Sequence, residues 1–291
     1  DDVGRSQFPE AAVTDLDGRF VAPAFVDSHV HTTATGLTLT GLDLRPASSL
    51  RHCLDLLAAH ARSHPDGVIW GHGWDESGWL ERVAPSTADI DAAVGDRRVY
   101  LARVDVHSAA ASTALRHVAG VGDEVPLTAD AHHGVRRAAR DLLTAAQRAQ
   151  ARQAALDHAA AHGIAAVHEC AGPEIGGLDD WNELRAHDHG VEVVGYWGEP
   201  VTSAEEATEL MSVTQARGLA GDLFVDGALG SRTAWLHEPY ADVADGCPAP
   251  TGNTYLDVDA VAAHLSACTE AGITAGFHVI GDAAVSAVTA A

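Results

Sequence analysis

The chain contains no lysine, so all 18 of its basic residues are arginine. Schiff-base chemistry and any lysine-derived metal ligand are excluded within these 291 residues. Set against 41 acidic residues, the arginines leave a net charge of -23. That balance argues against nucleic acid or an anionic membrane surface as a partner, because either needs a concentrated basic patch, and the sequence has none. Cysteine is scarce: Cys53, Cys170, Cys247 and Cys268 lie far apart and form no CxxC pair. Neither a zinc ribbon nor a disulfide framework is expected, and reduced thiols in a cytoplasmic protein are the default. Also missing are an apolar run of membrane length and, in the opening "DDVGRSQFPE", an initiator methionine or apolar signal region. These absences predict a soluble piece of a longer polypeptide.

What is present is 46% hydrophobic residues, enough to bury a large core in one large domain or two smaller ones. Three segments share one plan, an amphipathic helix ending in glycine and then a short apolar strand: "ALDHAAAHGIAAVHE", "ATELMSVTQARGLAGDLFVDG" and "AAHLSACTEAGITAGFHVIGD". Gly163, Gly218 and Gly272 are the expected left-handed helix stops, and Ser203 with Glu206 has the spacing of a capping box. Repeated αβ units predict a mostly parallel sheet, with strands at 24–31, 164–169, 191–197, 222–226 and 273–280. A (β/α)8 barrel needs eight strands in about 250 residues. If the fold is such a barrel, it is truncated here, its remaining strands lie beyond Ala291, and residues 40–150 form an insertion after the first strand.

The stretch "FVDSHVH" places Asp27, His29 and His31 on one face of a strand, since side chains alternate with period two. An HxH pair can be ordinary surface or core histidine. Its place after a buried strand in an αβ protein, where barrel active sites collect at C-terminal strand ends, argues for a metal site. His278 in "GFHVIGDAAV" occupies the same kind of position, and three such histidines suit zinc or a similar first-row metal. In the insertion, Arg103, Asp105 and His107 alternate with Val104 and Val106, which predicts a strand with one polar face, either exposed or over the active site. Asp282 is expected to cap the helix "DAAVSAVTAA", Asp226 to build a turn, and Asp222 to be solvated at the bottom end of its strand.

Five motifs in order, "VAPAFVDSHVH", "GHGWDESGW", "RVDVHSA", "LFVDGALGSRTAWLHEPY" and "FHVIGDAAV", resemble the amidohydrolase superfamily, specifically the family-3 branch that includes N-substituted formamide deformylases. The resemblance implies a metal-dependent TIM-barrel hydrolase over residues 20–291, with residues 1–19 the remnant of a small β-sandwich domain. It assigns His29 and His31 as first-strand metal ligands and His278 as the fifth-strand ligand, and puts Trp74, Asp75 and Glu76, which by themselves could equally pack a loop, in the pocket wall. The eighth-strand aspartate, ligand and proton shuttle in the family, would fall after Ala291. Many relatives carry a carboxylated bridging lysine on the fourth strand, and Asp222 stands in its place. The site is then mononuclear, or another group bridges: Glu169 is the first candidate, and Cys170 or Asp222 the alternatives. His168 and Glu169 point to opposite faces of their strand, so at most one enters the pocket.

The implied chemistry is hydrolysis of a carbon–nitrogen bond, in an amide or N-substituted formamide, by hydroxide on one or two divalent ions, with zinc expected. Arg103, Asp105 or His107 would orient a small-molecule substrate. A deaminase of the same superfamily and a non-catalytic αβ binding protein are the competing readings. The family's habit of forming dimers leaves a homodimer open.

Overall fold

The computed structural model describes residues 6–104, 106, 108–230, 232–241 and 249–291, with no side chains described at 129 and 130. Asp105, His107 and Cys247 therefore lie outside the described residues. In chain order the first elements are β1 (Phe25–Val30), α1 (Thr32–Thr40), β2 (Leu42–Asp43), α2 (Leu50–Ser63), β3 (Ile69–Trp74) and α3 (Thr87–Val94). Next come β4 (Val99–Arg103), β5 (Ser108–Ala111), α4 (Thr113–Ala119), β6 (Leu127–Thr128), α5 (Ala129–Asp141), α6 (Ala145–Ala161) and β7 (Ile164–Ala171). The chain continues with α7 (Gly177–Arg185), β8 (Glu192–Trp197), α8 (Ala204–Thr214), β9 (Gly218–Leu219), α9 (Val258–Ala271), β10 (Thr274–Ala275) and α10 (Asp282–Ala290).

Among the described residues two five-stranded sheets result, one ordered β1-β7-β8-β9-β10 and the other β2-β3-β4-β5-β6. The first is parallel throughout, as αβ units require. The second is parallel from β2 to β4 and antiparallel from β4 to β6, so the region expected between the first two strands is a sheet with its own core of Leu44, Leu57, Ile69, Trp74 and Leu101. Among the described residues no helix is long and apolar enough to cross a membrane. No strand is assigned at 6–24.

Helix ends follow the sequence in part. Gly163 and Gly272 adopt positive φ (76° and 68°) after α6 and α9. Gly218 does not: α8 stops earlier, at Gln215 with φ 52°, because Arg217 N–H already bonds Gly195 O at 2.7 Å and commits the chain to the sheet. Ser203 Oγ accepts from Glu206 N–H at 3.2 Å, but Glu206 Oε2 reaches back to Thr202 N–H at 2.8 Å, one residue short of a closed capping box. The expected strands 222–226 and 273–280 shrink to a bridge between Phe224 and His278 and to β10. Gly221, at φ +86°, bends the chain out of the extended region between β9 and that bridge.

β1 is not the buried strand the sequence suggested. It pairs with β7 on one side only, and Phe25 (70%) and Val26 (54%) are exposed. What holds its end in place is α1, which lies against α6 so closely that a Cβ on Gly36 would fall 1.8 Å from the Ala151 carbonyl oxygen.

Candidate metal centre

The C-terminal ends of the parallel strands meet at one edge of the first sheet, where Val30 pairs with Glu169 and Glu169 with Gly195. β1 delivers His29, and His31 follows as the residue before α1. Asp222 arrives from the turn after β9, where Leu223 and Val225 are buried beside it. His278 N–H donates to Leu223 O at 2.9 Å and Val225 N–H to His278 O at 3.1 Å, so the Asp222 and His278 segments are locked side by side.

His29 Nε2 stands 3.1 Å from Asp222 Oδ1, and His31 Nε2 stands 2.9 Å from Asp222 Oδ2. The two imidazoles meet edge to face, 5.4 Å between centroids. One ligand atom from each of His29, His31 and Asp222 lies within 4.8 Å of the others. Asp222 is buried, His31 half-buried and His29 exposed, so the carboxylate forms the floor and His29 the rim. Asp222 is thus not solvated at a strand's bottom end: the Gly221 turn folds it inward at the top.

The electrostatics suit a cation. Burial alone would push the Asp222 carboxyl up, but the hydrogen bond and charge of His31, with the charges of His29 and His278, hold it below the usual carboxylate range. Burial would likewise lower His31, yet its bond to Asp222 and the charges of Asp222 and Glu169 outweigh that, and the opposing charge of Arg136, and raise it. Asp222 Oδ1, His31 Nδ1 and His278 Nδ1 are buried without a hydrogen-bond partner. Such atoms are costly unless something fills the gap, and two imidazoles with a carboxylate are a fitting donor set for a first-row divalent ion.

The other expected site residues are placed as follows. His278 stands at the same end, its ring edge-on to Phe224 at 4.7 Å, but outside the three-residue cluster. Glu169 is buried, accepts from Thr32 N–H through Oε2 at 2.7 Å, and is likewise outside the cluster. Burial pushes its carboxyl up. His168 lies on the opposite face, packed on Tyr196, as the alternation required. Cys170 is a buried thiol pushed up to about 12 by burial, a poor thiolate donor as it stands.

Trp74 is corrected from pocket wall to core: it is fully buried in the second sheet, with Nε1 on Leu101 O at 2.9 Å. Asp75 caps a turn through Ser77 and, with Glu76, neutralises Arg103 at 3.1 and 2.9 Å. Arg103 also lies 5.9 Å over the Trp74 ring. The alternating strand expected through Val104 and Val106 is a turn, since β4 ends at Arg103 and Val106 has φ 55°. Asp226 does more than build a turn, accepting from Trp235, Ile280 and Gly281 N–H at 2.8, 2.9 and 2.7 Å. Asp282 is the first residue of α10 and not its cap, accepting from His237 N–H at 3.0 Å. Sequence reasoning missed Thr32, Thr33, Asp180 and Arg152 altogether: Thr32 and Thr33 meet partners 137 and 147 positions away, and Arg152 reaches Asp180 from a different helix.

The chain is 27% identical to YtcJ of Bacillus subtilis (strain 168), named as an amidohydrolase, over 96% of this chain and 56% of that protein. It is 26% identical to the N-substituted formamide deformylase of Arthrobacter pascens over 40% of this chain and 22% of that enzyme. A crystal structure of a metal-dependent hydrolase from Pyrococcus horikoshii OT3 superposes with a TM-score of 0.77 at 24% identity, covering 98% of this chain and 59% of that one. The chain thus spans little more than half the length of the first relatives it matches. The family model for the Amidohydrolase family, Amidohydro_3, matches residues 12–291, and the chain belongs to that family.

Proposed function

We propose that this chain carries the metal-binding half of a hydrolase that cleaves a non-peptide carbon–nitrogen bond, in an amide or N-substituted formamide, with zinc as the metal. The observation that carries the reading is the buried Asp222 carboxylate, one oxygen lacking a hydrogen bond, facing Nε2 of both His29 and His31. Its position at the C-terminal ends of parallel strands is where barrel hydrolases keep their sites, and the sequential order β1-β7-β8-β9-β10 of the sheet supports reading it as part of a (β/α)8 barrel.

His29, His31 and Asp222 would hold the ion. When bound, it supplies a Lewis acid and a water acidified toward neutrality. Asp222 contributes the negative charge that favours a dication over a proton, and it fixes both imidazoles with Nε2 toward the site. His29, on the open rim, leaves room for a small-molecule substrate, and the unpartnered Nδ1 of His278 is available to bond it or to join the ligand set. The buried floor of Asp222, Leu223 and Cys170 keeps bulk water from the far side.

The test is a turnover screen on the full-length protein, with N-substituted formamides, simple amides and amino-substituted heterocycles as substrates. Formate or carboxylate release that disappears in His29→Ala is expected. Ammonia release from the heterocycles alone would replace this reading with a deaminase, and undiminished turnover in His29→Ala would remove the site.

A further inference from the structure

α1 begins immediately after a residue of the site, and this creates a local problem. His31 occupies the N-cap position, where Ser, Thr, Asp or Asn would ordinarily satisfy a free backbone N–H, and it provides no cap. No acidic residue lies in the first turn of α1 either. The cap comes from elsewhere in the chain. Glu169, buried at the end of β7, accepts from Thr32 N–H at 2.7 Å across 137 positions of sequence. One residue on, Thr33 Oγ1 donates to Asp180 Oδ1 at 3.0 Å, and Asp180 is held by Arg152 Nη1 at 2.9 Å. Two buried or half-buried carboxylates thus grip the two residues that follow His31, and a carboxylate at a helix N-terminus is favoured by the helix dipole.

We propose that Glu169 is the positioning residue for His31 and not a ligand of the ion: it supplies in trans the cap that α1 lacks, and so fixes where the His31 imidazole meets Asp222. The inference rests on the metal reading above. Glu169 Oε2 is committed to Thr32 N–H, and Glu169 is not among the three residues whose ligand atoms gather within 4.8 Å of one another. It therefore stays on the backbone, and its influence on the ion passes through His31.

Titration of the metal-free full-length protein with Co(II), read by visible absorption and calorimetry, tests this. Glu169→Gln keeps an oxygen for Thr32 N–H, and should match wild type in stoichiometry, absorption band and affinity. Glu169→Ala should keep the stoichiometry and lose roughly 10- to 100-fold in affinity, the range for groups that orient a metal ligand. Should Glu169→Ala fail to fold in a thermal melt, Glu169→Asp, too short to reach Thr32, takes its place with the same expected loss. A Glu169→Gln protein that binds fewer ions or shifts the band would make Glu169 a ligand and overturn the proposal, as would full affinity in the Ala or Asp variant. A wild-type protein that takes up no Co(II) would instead overturn the metal reading itself.

Discussion

A buried carboxylate must have its charge matched, and at Asp222 the imidazoles of His29 and His31 stand in contact to do so. Asp222→Asn keeps the shape of the floor and removes the charge, so elemental analysis should find wild-type protein loaded and the variant empty; equal metal in both would demote Asp222. The same position shows what sequence can and cannot give. HxH is legible because period-two alternation alone puts His29 and His31 on one face. Asp222 was located as the occupant of the bridging-lysine position, but its burial was not legible, since it depends on the left-handed turn at Gly221 and on the His278 segment docking beside it. Glu169 was legible as a functional position, while its role was hidden in a bond to a backbone group 137 residues away.

Among elements, α1 decides where His31 stands. Gly36→Val would drive its side chain into the Ala151 backbone, and overpacking of this kind costs about 1–3 kcal/mol, to be read as a lower urea midpoint. Arg152, buried on α6, pairs with Asp180 and Glu183 at 2.9 Å each. Arg152→Ala would leave Asp180 uncompensated, with an expected loss of about 3–5 kcal/mol; a loss near zero would show that the network contributes nothing. Its partner Glu183 is held down to about 2, first by the Arg148 hydrogen bond and further by Arg152, against an ordinary value of 4.5. The folded value is depressed, so the stabilisation is complete above about pH 4.5 and is lost as pH falls toward 2. The stability gap between wild type and Glu183→Gln should therefore close over that window, and a gap that widens on acidification would contradict the assignment. At this scale the αβ repeat was readable from helix–glycine–strand order, and the insertion from the long stretch, residues 40–150, between the first two expected strands. Strand lengths were not, because the left-handed turn at Gly221 cuts the extended run short and β10 ends at Ala275.

For the molecule as a whole, a net charge of -23 with no lysine means self-repulsion opposes compaction. Raising salt from about 0.01 M to about 0.15 M shortens the screening length from roughly 30 Å to roughly 8 Å, so the melting temperature should rise; a fall would mean that attractive pairs dominate. The parallel sheet gathers chemistry at one edge, and the second sheet stands as a separately cored layer whose Trp74 and Arg103 serve its own packing. The central claim is that a metal sits between His29, His31 and Asp222. The most direct measurement is an anomalous difference map from crystals of the full-length protein grown with Zn(II), collected on both sides of the zinc absorption edge. A peak bounded by the two Nε2 atoms and the Asp222 carboxylate is predicted, whereas a peak elsewhere, or a zinc-replete crystal with none at this place, would contradict the account.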